Sequence, residues 1–353
     1  RTLLALHATY SPAKRTPYEV SGYEASYAPL PLSEAPDDGE EVDERRFLGL
    51  VAEGRWSELE SEFADSGPLR LRHEIASLTA VARELAAGAV FACIVEPMQS
   101  EGGDRYASGR FYRALRLLTR RFDVPLIFDE VQTGFGLGGP LAWHDDYRLV
   151  DAAGAPDHPD VVTFAKRAQV GVVMSRFHDP EPTSVHPASL VRGLIYARAI
   201  DPDDALRVET ETRTRLQALA QAFPDLVRAP RARGYAFAFD MPGPAELEAL
   251  LAQRFWRGAI VFAAGDRTAR YRLSRAFGTE EIALLFDAIR RSLAWILANP
   301  GRKAPAWQDL PRRSEPATEA VEFRVRRLET ADEAVYLPRV LELEQRSYPQ
   351  PMR

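Results

Sequence analysis

The sequence predicts an α/β fold in which a mostly parallel sheet precedes a smaller α+β unit. Two observations carry this. Short continuous apolar runs at 91–96 (FACIVE), 124–128 (VPLIF) and 161–165 (VVTFA) are separated by a helical pattern at 110–122, and strand, helix, strand at this spacing argues for parallel pairing. Beyond about residue 200 the pattern changes to long amphipathic helices between isolated strand-like runs.

Taken in order, residues 1–70 are poorly periodic. Prolines at 12, 17, 29, 31 and 36 and an acidic run at 37–44 predict loops and short helices. FACIVE reads as a strand buried on both faces. In 110–122, Phe111, Leu115, Leu118 and Phe122 form one stripe. VPLIF and VVTFA are the next two buried strands. A charged helix over 203–222 precedes a strand at Tyr235–Met241, a helix at 244–256, strands near 259–263 and 269–273, and a helix at 280–297. In the last helix Ile282, Leu285, Phe286, Ile289, Leu293 and Ile296 are the apolar face. Four prolines in 299–321 read as a linker. These breaks divide the chain into a large domain over 1–202, a small domain over 203–298, the linker, and a new unit from 322. The ends, Arg1 and Arg353, are expected to be those of a piece cut from a longer polypeptide.

The chain has 353 residues, 46% of them hydrophobic, enough for two or three cores. With net charge −6 and no basic stripe clear of acidic neighbours, nucleic acid is not an expected partner. No apolar stretch approaches the roughly 20 residues that span a bilayer. No secretory signal is visible, so a cytoplasmic location is expected. The single cysteine, Cys93, excludes a disulfide framework and reads as a buried, inert thiol. Of 45 basic residues only three are lysine: Lys14, Lys166 and Lys303.

Ligands of open parallel sheets gather at the carboxyl ends of the strands. Three such ends carry polar residues: Glu96–Gly103 (EPMQSEGG), Asp129–Gly136 (DEVQTGFG) and Lys166. Lys166 is either a solvated surface lysine or a reactive amine. An arginine could not do the second task, because its guanidinium stays protonated while a desolvated lysine can attack an aldehyde. Asp129 is either a turn carboxylate or a partner for a cation such as a pyridinium. The glycines at 134, 136, 138 and 139 either admit a ligand close to the backbone or are ordinary loop glycines. No metal site is expected.

IFDEVQTGFG, followed by PDVVTFAK and preceded by VEPMQSEGG, resembles the signature of the class III aminotransferases, over roughly residues 1–298. That resemblance implies a fold-type-I architecture with pyridoxal 5'-phosphate as cofactor, an amino acid and a 2-oxo acid as substrates, and a homodimer with shared active sites. It implies that Asp129 pairs with the pyridine nitrogen and Gln132 lies beside the ring hydroxyl. Lys166 forms the imine with the cofactor and shuttles the proton. QSEGGDRY, GFGLGG, FAKRAQVGVVMS and AGDRTARYRL are similar to the L-lysine 6-transaminase subgroup. On that similarity Glu101 is a switch carboxylate, Arg270 its partner, and Arg1 a substrate-carboxylate arginine. Other ω-amino substrates (ornithine, acetylornithine, 4-aminobutyrate) remain as alternatives, as does a non-catalytic scaffold module.

Three departures from the family pattern stand out. Its glycine-rich phosphate loop and stacking aromatic would precede Arg1, so the chain alone is expected to transaminate poorly. DDYRLVDAAGAPDHPD, at 145–160, reads as an insertion between Asp129 and Lys166. The family's threonine segment, which reaches a neighbouring subunit's phosphate, corresponds to 182–187, with Thr183 or Ser184 in that role and His186 a plain loop residue. The tail FRVRRLETADEAVYLPRVLELEQRSYPQPM resembles the start of a GNAT acetyltransferase, which implies a fused acyltransferase domain from about Phe323.

Overall fold

The computed structural model describes residues 22–31, 42–64, 68–177 and 185–303. Helices α1 (Glu44–Glu53), α2 (Trp56–Leu59) and α3 (Leu69–Ala86) come first, with a π-helical turn at Glu60–Ala64 between α2 and α3. Strands β1 (Cys93–Val95), β2 (Met98–Gln99) and β3 (Arg105–Tyr106) lead into α4 (Gly109–Arg121), β4 (Leu126–Glu130), β5 (Val161–Phe164) and β6 (Val172–Ser175). Then follow α5 (Pro187–Arg198), α6 (Pro202–Ala222), β7 (Arg228–Arg233), β8 (Ala236–Asp240), α7 (Pro244–Ala252), α8 (Arg254–Arg257), β9 (Phe262–Ala264), β10 (Thr268–Arg272) and α9 (Thr279–Ala298).

The first sheet has the order β1-β4-β5-β6. Its β1–β4 and β4–β5 pairs are parallel, and β6 closes it antiparallel to β5. The second sheet is antiparallel, β7-β8-β10-β9, and β2 and β3 form a small hairpin of their own. The predicted alternation of strand and helix is therefore present. Strand β4 starts two residues later than the apolar run suggests, and the helix expected over 244–256 divides into α7 and α8.

The expectation that FACIVE is buried on both faces is wrong. β1 is a sheet edge, and Phe91 and Ile94 are 61% and 41% exposed. Strand side chains alternate, so one face of the sheet packs on helices while Ile94 and Val173 stand on the other. The covered face is closed by α4. Ser108 caps that helix by accepting from Phe111 N at 3.0 Å. Tyr112 stacks on Tyr147 at 4.2 Å and leans on Phe128 of β4 at 5.6 Å. Glu74 of α3, fully buried, accepts from Ser108 Oγ (2.6 Å) and Arg110 Nε (2.8 Å) and so ties α3 to α4. Cys93 is only partly buried rather than fully so; desolvation of its thiol raises the pKa to about 11, consistent with an inert group.

The excursion at 145–160 closes on itself. Asp151 Oδ1 accepts from the backbone of Ala153 and Ala155, both at 2.9 Å, and Val150 bridges Pro156. It delivers Asp157 and Asp160 to Arg116, a fully buried guanidinium on α4. Arg116 donates to both aspartates at 2.7 Å. Asp160 also accepts from Leu126 N at 2.7 Å, which fixes the start of β4. Among the described residues no helix is long and apolar enough to cross a membrane.

Replacing Arg116 by Met should destabilise the fold by about 3 kcal/mol, the usual loss when one partner of a buried ion pair is removed. Burial raises the pKa of both Asp157 and Asp160. The hydrogen bonds from Arg120 and Arg116 to Asp157, and from Arg116 and Leu126 to Asp160, outweigh it, so both are lowered. A depressed carboxylate stabilises the fold above its unfolded pKa of about 3.9 and loses that contribution as pH falls through the folded value. The melting-temperature gap between the native protein and Arg116→Met should hold from pH 7 to about 5 and narrow below about 4. A gap independent of pH would contradict this account.

Candidate active site

The site is built where three segments meet: the ends of β4 and β5, the hairpin β2–β3 with its loop, and the face of β10. Asp129 and Glu130 are neighbours on β4, so strand alternation sends them to opposite faces. Glu130 is fully buried and accepts from Trp143 N (2.6 Å), His144 N (2.9 Å) and His144 Nδ1 (2.6 Å). Its work is to hold the turn at Trp143–Tyr147. Asp129 is half-buried on the other face. Its Oδ1 accepts from Val131 N at 3.0 Å, and among the described residues its Oδ2 accepts no hydrogen bond.

Asp129 pairs with Thr163 in the β4–β5 register. Three residues past Thr163 the chain turns sharply, and Lys166 opens a 3₁₀ turn to Ala168. Lys166 sits at φ 52°, the left-handed region that costs a side-chain-bearing residue about 1–2 kcal/mol. Its Nζ donates to Gln132 Oε1 at 3.0 Å. The sequence-predicted lysine and glutamine are thus brought together, Gln132 in the turn that follows β4, the strand of Asp129, and Lys166 in the turn that follows the adjacent β5. Of the loop glycines, Gly134 and Gly138 make room for protein rather than for a ligand: a Cβ there would run into the Phe164 and Trp143 rings.

Next to the lysine, Arg167 donates to Leu273 O at 3.1 Å and lies 4.9 Å over the Tyr235 ring. Burial, only partly offset by nearby groups, lowers its pKa to about 10, so it stays charged at neutral pH. This contact joins the Lys166 turn to the end of β10. Upstream on the same strand, Arg270 Nη2 donates to Glu101 Oε1 at 2.6 Å. The Arg270 side chain is 9% exposed and that of Glu101 is 41% exposed.

Sequence reasoning missed the groups that hold the Glu101 loop. Arg231, 1% exposed, donates to Gly103 O (2.9 Å), Asp104 O (3.1 Å) and Asp240 Oδ1 (2.8 Å). Arg105 reaches the other oxygen of Asp240 at 2.5 Å. Asp104, fully buried, takes both prongs of Arg272 at 2.6 Å. The available signal was the alternation of Arg270 and Arg272 on one strand, which places both on one face. His186, read as a plain loop residue, caps α5 by accepting from Ala188 N at 3.3 Å. Arg1, Thr183 and Ser184 lie outside the described residues. Among the described residues no group of three or more His, Cys, Asp or Glu could hold a metal ion.

The left-handed backbone at Lys166 makes its cost measurable. Lys166→Gly should be more stable than Lys166→Ala by about 1 kcal/mol in chemical denaturation, because only glycine accepts this φ freely. Equal stabilities would show that the turn relaxes without strain.

Residues 55–186 match the model of the class-III aminotransferase family. The L-lysine-epsilon aminotransferase of Mycobacterium tuberculosis is 37% identical over 221 residues, 57% of this chain and 47% of that protein. The mitochondrial 4-aminobutyrate aminotransferase of Mus musculus is 32% identical over 216 residues, 57% of this chain and 41% of that protein. The solved lysine aminotransferase of M. tuberculosis superposes with a TM-score of 0.57 at 30% identity, covering 64% of this chain and 55% of that one. N-acetylornithine aminotransferase from Stenotrophomonas maltophilia K279a, at 24% identity and a TM-score of 0.55, shares the fold over 62% of this chain and 60% of its own. The chain spans about half the length of the curated relatives it matches.

Proposed function

We propose that this chain, similar over residues 55–186 to the class-III aminotransferase family and in fold to a solved lysine aminotransferase, transfers an ω-amino group, the ε-amino group of L-lysine, to a 2-oxo acid such as 2-oxoglutarate. The cofactor on this reading is pyridoxal 5'-phosphate. One arrangement carries the proposal: Lys166 at the end of β5, its amine on Gln132, with Asp129 one strand away.

The residues fit that cofactor. A half-buried carboxylate with one oxygen unused among the described residues suits a protonated ring nitrogen, and a lysine held at the strand end is a suitable amine. When bound, the cofactor supplies an aldehyde for amines and a ring that draws off electrons. Lys166 Nζ is the amine that anchors it and the group that takes up and returns the substrate proton. Gln132 orients Nζ. Asp129 holds the proton on the ring nitrogen.

Glu101 and Arg270 are proposed to sort the substrates. A transaminase of this type admits a distal amine in one half-reaction and a second carboxylate in the other. A fixed charge suits only one of them. With Glu101 on Arg270 the cation is masked and an amine is tolerated; with Glu101 turned toward solvent, Arg270 receives a carboxylate. The 41% exposure of Glu101 beside the nearly buried Arg270 supports that division of labour. The likeness to a 4-aminobutyrate aminotransferase favours a second reading, in which the amine donor is 4-aminobutyrate. The family resemblance further supports a homodimer. The linker from residue 304 onward and the acetyltransferase-like tail lie outside the described residues, and a fused acyltransferase is proposed from the sequence resemblance alone.

Borohydride reduction of the cofactor-loaded protein should place the cofactor on the peptide containing Lys166 and on neither Lys14 nor Lys303. Lys166→Ala should give no reduced adduct, and an adduct on another lysine would refute the assignment. Single half-reactions of Glu101→Ala should show the lysine half slowed by about tenfold or more, with the oxo-acid half much less affected. Equal losses, or a native protein faster with 4-aminobutyrate than with lysine, would reject the lysine reading.

A further inference from the structure

We propose that the Asp104–Arg272 pair is a fixed anchor whose task is to keep Arg272 occupied, so that Arg272 does not draw Glu101 away from Arg270. The inference rests on the substrate-sorting role proposed for Glu101 and Arg270. It makes Asp104 and Arg272 positioning residues for that pair.

Arg270 and Arg272 stand two residues apart on β10 and so share a face, about 7 Å apart along the strand. Both meet the same short loop, which carries one carboxylate for each of them, Glu101 and Asp104. The two ion pairs differ in burial and in the number of hydrogen bonds. Asp104 is fully buried and bound by both prongs of Arg272, each at 2.6 Å, the geometry that makes an arginine–carboxylate pair strong and directional. Its carbonyl is held again by Arg231 at 3.1 Å. Glu101 is 41% exposed, and its carboxylate meets Arg270 Nη2 at 2.6 Å. One pair is built to stay and the other to part.

The spacing creates a hazard that the anchor removes. A glutamate side chain and an arginine side chain together span a shift of one residue pair along β10. An unoccupied Arg272 would compete with Arg270 for Glu101 and leave Arg270 unmasked. Gly103, at φ 114°, and Asp104, at φ 51°, hold the loop in left-handed backbone. The Asp104 carboxylate is buried in that turn, while Glu101, three residues earlier, lies partly exposed on Arg270. Glycine and aspartate are residue types that tolerate such angles, so the sequence of the loop suits the turn that sets the two carboxylates apart.

The test uses the affinity of the cofactor-loaded protein for glutarate, a dicarboxylate that cannot react, measured by calorimetry. Asp104→Asn should bind glutarate about fivefold more tightly or better, because Arg270 is unmasked when Glu101 moves to Arg272. The double variant Asp104→Asn with Arg272→Gln should return to the native affinity, because the competitor is gone. A merely structural role for Asp104 predicts weaker or unchanged binding in the single variant and no repair in the double one, and either result overturns the anchor. Where Asp104→Asn cannot be purified folded, Arg272→Lys serves. It keeps the charge but loses the two-pronged grip, and should tighten glutarate binding in the same direction. A native affinity there also overturns the proposal. Glu101→Ala separates the two levels of inference. Without tighter glutarate binding in Glu101→Ala, the sorting role itself fails; with it, a failure of Asp104→Asn concerns the anchor alone.

Discussion

The site depends on one buried guanidinium. Arg231 holds the loop 99–105, which follows the first sheet's edge strand, against the second sheet more than 120 residues away in the chain. Its counter-charge is Asp240. Burial raises the pKa of Asp240, but Arg231, Thr268 and Arg105 outweigh that, so the net shift is downward and the carboxylate remains ionised at neutral pH. Breaking a buried pair of this kind costs about 3–5 kcal/mol. A solvated pair such as Arg290 with Asp287 contributes at most about 1 kcal/mol. That difference decides which of the many ion pairs matter. The exposed ones decorate helices, whereas Arg231–Asp240 and Arg272–Asp104 determine where the Glu101 carboxylate can be.

A second constraint is the alternation of β4. Because Asp129 and Glu130 must face opposite sides, one strand end both fixes its own surroundings and offers a carboxylate to the open side. Glu130 spends its charge on backbone N–H groups and His144. Asp129 accepts only from Val131 N among the described residues, and so keeps an oxygen for another partner. Lys166 completes the arrangement from the neighbouring strand, where parallel pairing brings the two carboxyl ends to the same edge.

The parts of this arrangement that could be read from sequence are those whose signal is local. Lys166 and Asp129 each close a short apolar run, and the run marks the strand and hence the end of the strand. The helix stripe at Phe111, Leu115, Leu118 and Phe122 is likewise a pattern within one turn-to-turn spacing; the first three are buried and Phe122, at the helix end, is partly buried. Arg231, Asp240, Asp104 and Arg272 were invisible for the opposite reason. Each looks like an ordinary surface charge, and its meaning lies in a partner 9 to 168 residues distant. The misjudged burial of FACIVE has a related cause. An apolar run reports that a strand prefers burial, not whether it lies at the centre or the edge of its sheet, and β1 is an edge. Strand β6 and helix α5 carry no period in the sequence that marked them as elements.

The scarcity of lysine follows from the same physics. Inside the fold, positive charge is needed to hold carboxylates at Glu74, Asp104, Asp160 and Asp240, and an arginine holds each one. A guanidinium suits this work because its planar fork matches a carboxylate and because it keeps its proton even when desolvated. Arg167, with its pKa lowered to about 10 next to Lys166, is still a cation at neutral pH and still not a nucleophile. An amine in that place would lose its proton more readily and would compete for any electrophile that reached the strand end. Using arginine for structure and a lysine for the strand end therefore separates two tasks that one residue type would confuse. The left-handed φ at Lys166 fits this division: at the one position where an amine stands at the strand end, the backbone tolerates a conformation that glycine would adopt more cheaply.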